Sequence, residues 1–340
     1  MKRNDSRQFL CMFNGKHVLI TGGLGFLGSN LAHRLVAEGA HVLLVDSLIP
    51  EYGGNLFNID GLDGAVRVNI SDVRDEHSMR YLVQGQDYLF NLAGQTSHMD
   101  SMQDPFADLD INCRAQLSIL EACRKYNPSI KVVFASTRQI YGKPDYLPVD
   151  EQHLLRPVDV NGINKMAGEW YHILYNNVYN IRACALRLTN TYGPRMRIRD
   201  ARQTFLGIWI RLLVEDRPFE IWGGDQLRDF TYVDDAVDAL LIAALRDEAN
   251  GQVFNLGGDP IVSLRELADL LVAANGGKGT YTIRTFPPDR KRIDIGDYYS
   301  DDGRIRQMLG WQPQVGLHEG LERTLVFYHT HKAHYVEPTT

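Results

Sequence analysis

Three glycines near the start of the chain, Gly22, Gly25 and Gly28, stand at three-residue intervals between a predicted strand and a predicted helix. The strand is the apolar run at residues 17–21, and leucines recur at helical spacing from residue 27. Glycines in this context permit a tight turn and let backbone N–H groups approach a pyrophosphate at the helix N-terminus. The segment therefore predicts a strand–turn–helix unit that can bind a dinucleotide.

The first half of the chain alternates short apolar runs with helical patterns, which predicts an α/β fold with a Rossmann-type, doubly wound parallel sheet. Beyond Gly193–Pro194 the elements become shorter and glycine and proline interrupt them more often. We therefore expect a NAD-binding Rossmann domain at residues 15–193 and, mainly at 194–335, a smaller α/β substrate domain, with segments such as 230–256 returning to the first. The predicted strands cover residues 17–21, 41–46, 66–70, 87–93, 131–136 and 183–188.

An acidic residue, Asp46, ends the second predicted strand downstream of the glycine segment. A carboxylate there accepts hydrogen bonds from an adenosine ribose and repels a 2′-phosphate, so NAD is favoured over NADP. The alternative is a glycine turn that holds no ligand. The strand, the glycines and the acid together favour the cofactor.

Composition excludes several classes of partner. Lys and Arg number 36 against 42 Asp and Glu, so the net charge of −6 offers no electrostatic footprint for nucleic acid or an anionic membrane. Four cysteines without Cys-x-x-Cys spacing suggest neither a zinc ribbon nor a disulfide framework, and no apolar run approaches the roughly 20 residues of a membrane span. We expect a cytoplasmic protein without a metal, and interpret the histidines at 329, 331 and 334 as a polar tail.

Five further motifs extend the glycine segment over nearly the whole chain. They lie at residues 91–94 (NLAG), 136–142 (STRQIYG), 187–194 (RLTNTYGP), 228–235 (RDFTYVDD) and 309–311 (LGW). With them the chain resembles an extended short-chain dehydrogenase/reductase of the NAD-dependent nucleotide-sugar epimerase/dehydratase family, similar to the UDP-glucose 4-epimerases. The motifs are specific for the family but not for one substrate.

The resemblance places NAD along the carboxyl ends of the first strands, with Asp72 and Val73 beside the adenine. Asp72 also stands where it can cap a helix starting at Val73, and both roles can hold together. The resemblance implies the following cofactor residues: Gly22, Gly25, Phe26, Leu27, Gly28, Asp46, Asp72, Val73, Leu92, Ala93, Gly94 and Lys165.

The family's usual catalytic base is a tyrosine four residues before a lysine, assisted by a Ser or Thr at the preceding strand end. Thr137 matches the hydroxyl residue and Lys165 the lysine, but the tyrosine position holds Asn161. A carboxamide donates and accepts hydrogen bonds but does not take up a proton near neutral pH. Asn161 can therefore bind a hydroxyl or a water but cannot be the base.

Three interpretations of this gap stay open. Another group supplies the base, with Tyr141, His98, Asp100 and Tyr192 in segments that border the sugar pocket in the family; Tyr141 can equally be a packed aromatic and His98 a loop histidine. Lys165 itself is the base, with a pKa lowered by burial. In the third, the protein binds NAD and a nucleotide sugar without oxidising the sugar. Apart from these three, Asn161 can be a deliberate substitution.

Residues after Thr137 bear on the reaction. The dehydratases of this family have an acidic pair there, whereas this chain has Arg138 and Gln139, which disfavours a 4,6-dehydratase. Arg138 can instead pair with a carboxylate or polarise a carbonyl, or it is a solvated strand-end arginine. By the resemblance, the nucleotide sugar is bound by Asn190, Arg195, Arg228, Lys291 and Arg292, and Arg138 is a further candidate for binding the sugar itself.

The sequence thus favours a NAD-dependent nucleotide-sugar epimerase, with a UDP-sugar 4-epimerase as the nearest description and Thr137, Lys165, Asn161 and Tyr141 as candidate catalytic residues. The alternatives are a lyase or decarboxylase acting on a uronic-acid sugar, and a non-catalytic NAD and nucleotide-sugar binder. The resemblance also implies a homodimer, and the helical patterns at 105–126 and 317–328 have apolar faces.

Overall fold

The structure, a computed structural model, describes residues 12–202, 204–286 and 294–336. Its strands are β1 His17–Thr21, β2 His41–Asp46, β3 Val66–Ile70, β4 Tyr88–Asn91, β5 Lys131–Thr137, β6 Arg182–Leu188, β7 Asn190–Tyr192, β8 Phe219–Trp222, β9 Leu227–Arg228, β10 Phe230–Tyr232, β11 Val253–Asn255, β12 Val262–Ser263 and β13 Tyr281–Arg284. Its helices are α1 Phe26–Ala37, α2 Glu76–Leu82, α3 His98–Gln103, α4 Pro105–Leu109, α5 Ala115–Tyr126, α6 Val160–Tyr179, α7 Phe205–Val214, α8 Val233–Leu245, α9 Leu264–Ala274, α10 Gly303–Leu309, α11 Leu317–His331 and α12 Ala333–Val336.

Seven parallel strands form the main sheet in the order β11-β6-β5-β4-β1-β2-β3. Side chains alternate between the two faces of β1, because successive residues of a strand point in opposite directions. Val18 and Ile20 enter a core that also holds residues of α1 and α8, whereas Leu19 enters a second core with residues of α2 and α5. The predicted α/β fold with a doubly wound parallel sheet is therefore confirmed.

The order of the sheet reverses between β1 and β4, since β2 and β3 lie on one side of β1 and β4 to β6 on the other. In open parallel sheets, ligands bind at the carboxyl ends of the strands at such a switch point. The glycine turn after β1 and the segment after β4 flank this position. The fold therefore brings residues 22–28 and 92–98 to the two sides of one crevice.

The later part of the chain contributes to both regions. Residues 253–255 add β11 to the main sheet beside β6, and α8 packs against that sheet. Three small sheets, β7 with β10, β9 with β12 and β8 with β13, lie outside it. The division of the chain at residues 193 and 194 into two domains stays a prediction.

Candidate active site

The turn after β1 is shaped by backbone contacts. Gly22 has a φ of +69°, and its N–H donates to the carbonyl of Val45 at 2.8 Å. A Cβ on Gly28 would lie 2.2 Å from the carbonyl oxygen of Gly22, so only glycine allows this close approach. Helix α1 begins after Gly25, which offers no side-chain cap, and its first turn carries no acidic residue. The first N–H groups of α1 therefore remain available to an anion.

One cavity collects every cofactor residue expected from the sequence apart from Lys165. Residues of the loop after β2 (Ser47, Ile49, Tyr52 and Gly54) line it too, and Thr96 is part of its wall on the β4 side. No sequence pattern pointed to Tyr52, which reaches the cavity only through the path of its loop. The expected residues that line the cavity are Gly22, Gly25, Phe26, Leu27, Gly28, Asp46, Asp72, Val73, Leu92, Ala93 and Gly94. This glycine-lined crevice across the switch point fits a dinucleotide.

Asp46 lies at the end of β2, at the side of the cavity away from β4. Its carboxylate accepts the N–H of Leu24 at 2.9 Å and the N–H of Leu48 at 2.8 Å. Burial raises the pKa of the Asp46 carboxyl, and these two donors oppose the shift. The backbone thus holds both oxygens in place at the position where a ribose would accept or donate hydrogen bonds.

Asp72 lines the cavity but does not cap a helix. Helix α2 begins three residues later than expected, at Glu76, and its N-cap is Asp75, whose side chain accepts the N–H of His77. Asp72 instead pairs with Arg74 at 2.6 Å, and this hydrogen bond lowers the pKa of its carboxyl. The helix-cap interpretation of Asp72 is therefore wrong.

Lys165 lies beneath the floor of the cavity. A Cβ on Gly94 would be only 2.7 Å from its Nζ, which donates to the carbonyl of Ala135 at 3.2 Å and lies 5.1 Å from the ring centre of Phe134. Burial lowers the pKa of Lys165 to about 8, against the opposing charge of Asp108. The ammonium thus lies directly behind Gly94, which lines the cavity.

Asn161 belongs to a buried amide network. Only 2% exposed, it donates from Nδ2 to the carbonyl of Gln95 at 2.8 Å and to Asp108 at 3.0 Å. Asp108 also accepts from Asn112 at 3.0 Å and from Asn164 at 2.8 Å. Three carboxamides thus surround one buried carboxylate, and Asn161 fastens the segment after β4 to α6.

Tyr141 is enclosed in the core rather than placed at the crevice. Its hydroxyl donates to Asn255 at 2.7 Å and accepts from Arg187 at 2.6 Å, and the side chain is 0% exposed. Burial raises the pKa of this phenol well above its ordinary value, which is the opposite of what a base needs. Tyr141 is therefore a packed aromatic, and we no longer assign it a catalytic role.

Two other candidates are also engaged elsewhere. The hydroxyl of Tyr192 is buried and donates to the carbonyl of Leu317 at 3.1 Å. The carboxylate of Asp100 pairs with Arg202 at 3.3 Å. Neither side chain is therefore a good candidate for the base at the crevice.

His98 meets two polar side chains at the end of the crevice. Its Nδ1 contacts the carboxylate of Asp159, and its Nε2 contacts the carboxamide of Gln139. The imidazole is 37% exposed, whereas the Asp159 side chain is only 3% exposed. Asp159 was not anticipated as a site residue, although its place directly before a helical pattern is typical of the N-cap that it forms.

Thr137 is the last residue of β5, two residues after Ala135, whose carbonyl accepts a hydrogen bond from Lys165. Its Oγ1 accepts the N–H of Gln139 at 3.3 Å and caps the short turn at Arg138–Tyr141. The hydroxyl thus points along the turn that carries Arg138 and Gln139. This turn lies at the corner between β4, β5 and α6, where Gln139 contacts His98.

Arg138, Asn190 and Arg228 form a basic group next to this corner. The Arg138 guanidinium lies 4.9 Å from the ring centre of Tyr298 and 3.4 Å from Asn190 Oδ1. Burial, and then the charge of Arg138, lower the pKa of Arg228 to about 10, while Arg228 also lies 3.7 Å from Asp294. Two arginines held this close to each other suit a ligand with negative charge.

Arg195 lies away from this basic group. It donates to the carbonyl of Asn58 at 3.1 Å and to Asn30 Oδ1 at 2.9 Å, so it ties the region after β7 to α1. Its expected role at the sugar diphosphate is therefore replaced by a structural one. Lys291 and Arg292 fall outside the described residues.

Two further observations concern ligands and membranes. Within residues 12–202, 204–286 and 294–336, no group of three or more His, Cys, Asp or Glu side chains is placed to hold a metal ion. Across the same ranges, no helix combines the length and apolar character needed to cross a bilayer.

Comparison with known proteins agrees with this site. The profile of the NAD dependent epimerase/dehydratase family matches residues 18–257. A putative UDP-glucose 4-epimerase of Methanocaldococcus jannaschii is 33% identical over 310 residues, which cover 91% of this chain and 97% of that protein.

Two solved structures share the fold closely. Thermotoga maritima UDP-glucose 4-epimerase with UDP-glucose superposes with a TM-score of 0.85 at 28% identity, covering 93% of this chain and 99% of that one. Bacillus cereus UDP-glucuronic acid 4-epimerase with UDP-glucuronic acid and NAD gives 0.80 at 26% identity, covering 92% and 98%. The chain therefore belongs to the NAD-dependent epimerase/dehydratase family, and it is an enzyme of that family with NAD as its cofactor.

Proposed function

We propose that this enzyme is a UDP-sugar 4-epimerase. The observation that carries the proposal is the group of Arg138, Asn190 and Arg228, because Arg138 and Asn190 follow the carboxyl ends of β5 and β6, on the β4 side of the dinucleotide cavity. A sugar diphosphate held by this basic group would extend its sugar toward Thr137 and the floor at Gly94. The names of the similar proteins support the same substrate class.

In this proposal, different residues bind different parts of NAD and of the substrate. The first turn of α1 binds the pyrophosphate of NAD, Asp46 binds the adenosine ribose, and Asp72 and Val73 flank the adenine. Lys165 contributes positive charge behind Gly94, and Thr137 offers a hydroxyl to the substrate. Bound NAD supplies a hydride acceptor that is restored when the hydride returns. Asn161 holds the segment after β4 and takes no proton.

Product analysis tests the proposal directly. Purified protein loaded with NAD is incubated with UDP-glucose, and with GDP-, CDP- and dTDP-glucose in parallel, while proton NMR follows the anomeric signals. We expect UDP-glucose and UDP-galactose to interconvert without consumption of NAD. Absence of conversion of every nucleotide sugar by folded, NAD-loaded protein would show that the chain is a non-catalytic binder.

A uronic-acid nucleotide sugar is the second candidate, and Arg138 favours it. Within the described part of the chain, the Arg138 guanidinium forms no ion pair, and its central carbon lies over the Tyr298 ring at 4.9 Å from the ring centre. Such a group can pair with a sugar carboxylate. Turnover of UDP-glucuronate in preference to UDP-glucose, lost selectively in Arg138→Met, would establish this substrate; release of CO₂ would identify a decarboxylase.

A homodimer is also proposed, although the surface that supports it differs from the faces considered from the sequence. Helix α6 exposes an apolar row, Ile163 (50%), Trp170 (55%), Leu174 (48%) and Val178 (57%), at spacings that share one helix face. Phe106 of the neighbouring α4 is 76% exposed. Sedimentation should give a dimer for the wild type and a monomer for Trp170→Glu; a monomeric wild type would contradict the proposal.

A further inference from the structure

The corner between β4, β5 and α6 brings a histidine and a buried carboxylate together at the nicotinamide end of the crevice. His98 opens α3 after β4, Asp159 caps α6, and Gln139 lies in the turn after β5. Three segments of the chain thus bring one polar side chain each to the same place. Thr96, two residues before His98, lines the dinucleotide cavity, and Arg138 of the basic group directly precedes Gln139.

The contact with Asp159 determines which ring nitrogen of His98 can accept a proton. Burial opposes ionisation of Asp159, but the hydrogen bonds from His98 and from the Gly162 N–H, at 2.7 Å, leave the pKa of its carboxyl below the ordinary value. A carboxylate is only an acceptor, so Nδ1 must carry the proton. The lone pair of neutral His98 is therefore on Nε2, the nitrogen that faces Gln139.

The side chain of Gln139 is only partly satisfied by hydrogen bonds. Its carboxamide lies against Nε2, while its Oε1 is buried and has no hydrogen-bond partner in the part of the chain that the structure describes. A buried polar atom without a partner costs about 1–3 kcal/mol. A side chain held this poorly can be displaced by a substrate hydroxyl that hydrogen-bonds to Nε2.

The other titratable groups near this corner are less suited. Tyr141 is enclosed and hydrogen-bonded at its hydroxyl, Asp108 is surrounded by three carboxamides, and Asp100 is paired with Arg202. Lys165 lies under Gly94 with its Nζ on the Ala135 carbonyl, so it faces the cofactor floor. Among the described residues of the corner, His98 combines partial exposure with an oriented lone pair.

We propose that His98, oriented by Asp159, takes the hydroxyl proton of the sugar in the place of the tyrosine that Asn161 replaces. In this step the sugar O–H bond breaks and its proton goes to Nε2, while the hydride leaves the same carbon with its electron pair for bound NAD⁺, so a carbonyl forms. When the hydride returns, Nε2 gives the proton back. His98 is thus a catalytic residue and Asp159 a positioning residue; the inference rests on the epimerase function proposed above.

Variants separate this role from a structural one. His98→Gln should lower kcat by at least about 10²-fold and leave the Kd for UDP unchanged. Asp159→Asn keeps an oxygen for the N–H of Gly162 but presents an amide to Nδ1, which places the ring proton on Nε2 and blocks it as an acceptor. His318→Gln is the matched control, since His318 lies on the surface of α11, 3.7 Å from Glu322.

Of two further readouts, the first does not depend on turnover. The ¹⁵N shifts of His98 should show the Nδ1–H tautomer in the wild type and the Nε2–H tautomer in Asp159→Asn. In His98→Ala, added imidazole should restore part of the lost turnover, and it should not restore that of Lys165→Met.

The outcomes distinguish this inference from the function on which it rests. If the wild type converts a nucleotide sugar and His98→Gln does so within about threefold, the dyad is overturned and the epimerase stands. An Nε2–H tautomer in the wild type overturns the dyad whatever the activity. If the wild type converts no nucleotide sugar, the epimerase fails, and the catalytic role of His98 fails with it even where the tautomer is as expected.

Discussion

The dinucleotide cavity and the corner between β4, β5 and α6 are built in different ways. Backbone groups shape the cavity, with the Gly22 and Gly28 contacts on one side and N–H donors around Asp46 on the other. Side chains from three distant segments build the corner, where His98, Asp159 and Gln139 meet. Local backbone geometry thus shapes the cofactor cavity, whereas the packing of distant segments decides which side chains meet at the corner.

A buried ammonium is the most costly feature at the junction of the two regions. Burial lowers the pKa of Lys165 to about 8, below the roughly 10.4 of an unfolded lysine. Between these values the unfolded state holds more protons, so wild-type stability rises with pH, and below about pH 8 the full cost of roughly 3 kcal/mol applies. We expect Lys165→Met to have a larger free energy of unfolding near about pH 7, with the gain shrinking toward about pH 10.

Urea unfolding at both pH values measures this difference. Lys143→Met, at an exposed lysine, is the control. A gain that is the same at both pH values would mean that burial does not lower the pKa of Lys165.

A side chain at Gly28 should distort the dinucleotide cavity and leave the contacts of His98, Asp159 and Gln139 unchanged. In Gly28→Ala the new Cβ would lie 2.2 Å from the Gly22 carbonyl oxygen, so the turn must open at a cost of about 1–3 kcal/mol. Calorimetry should show the Kd for NAD raised about 10- to 100-fold. Gly316→Ala is the control, because nothing lies within 4 Å of its added Cβ; equal affinities in the two variants would contradict the backbone account.

Restoring the family tyrosine should not restore the family mechanism. Asn161 is 2% exposed and bonds Gln95 and Asp108, so Asn161→Tyr overfills the network and leaves a buried carboxylate with fewer donors. We expect a loss of about 1–3 kcal/mol in the free energy of unfolding and no gain in kcat. Asn161→Ala is the control, because it removes the same hydrogen bonds without adding volume. An Asn161→Tyr enzyme with a higher kcat than the wild type would show that a tyrosine at this position can still act as the family's usual base.

The smallest effect is expected at the rim of the cavity. Arg74 and Asp72 form an ion pair whose side chains are 41% and 32% exposed, and such pairs contribute about 0–1 kcal/mol. Arg74→Ala should therefore change the Kd for NAD by less than about fivefold. Affinity for NAD is measured by fluorescence titration. A larger loss of affinity would mean that this ion pair helps to shape the adenine side of the cavity, so that side chains as well as the backbone would build the cavity.

Regular elements with a clear hydrophobic period could be predicted closely. The bounds of β1, β2 and β3 agree with the apolar runs, because each run is short and ends at a polar or glycine residue. The first turns of α6 are less regular, because they carry buried asparagines that do not follow an amphipathic pattern. Asn161 and Asn164 lie in the interior because their amides hydrogen-bond the buried carboxylate of Asp108 in α4.

Motif position did not decide the role of every arginine. Arg138, Asn190 and Arg228 meet beside the crevice, whereas Arg195 of the same motif region binds Asn30 and Asn58. The reason is direction: Arg195 has a φ of +71°, and its side chain reaches α1 rather than the crevice. Residue type and spacing do not contain that direction.

Local sequence patterns were enough to predict the parallel sheet, the glycine turn, an acidic residue at the end of β2 and the absence of a phenol at position 161. These depend on local conformation and on periodic burial, which neighbouring residues specify. Tertiary packing, in contrast, buries Tyr141, places Lys165 under Gly94 and brings His98 to Asp159. His98 and Asp159 are 61 positions apart, and the packing of β4, β5 and α6, not the local sequence, brings them within hydrogen-bond distance.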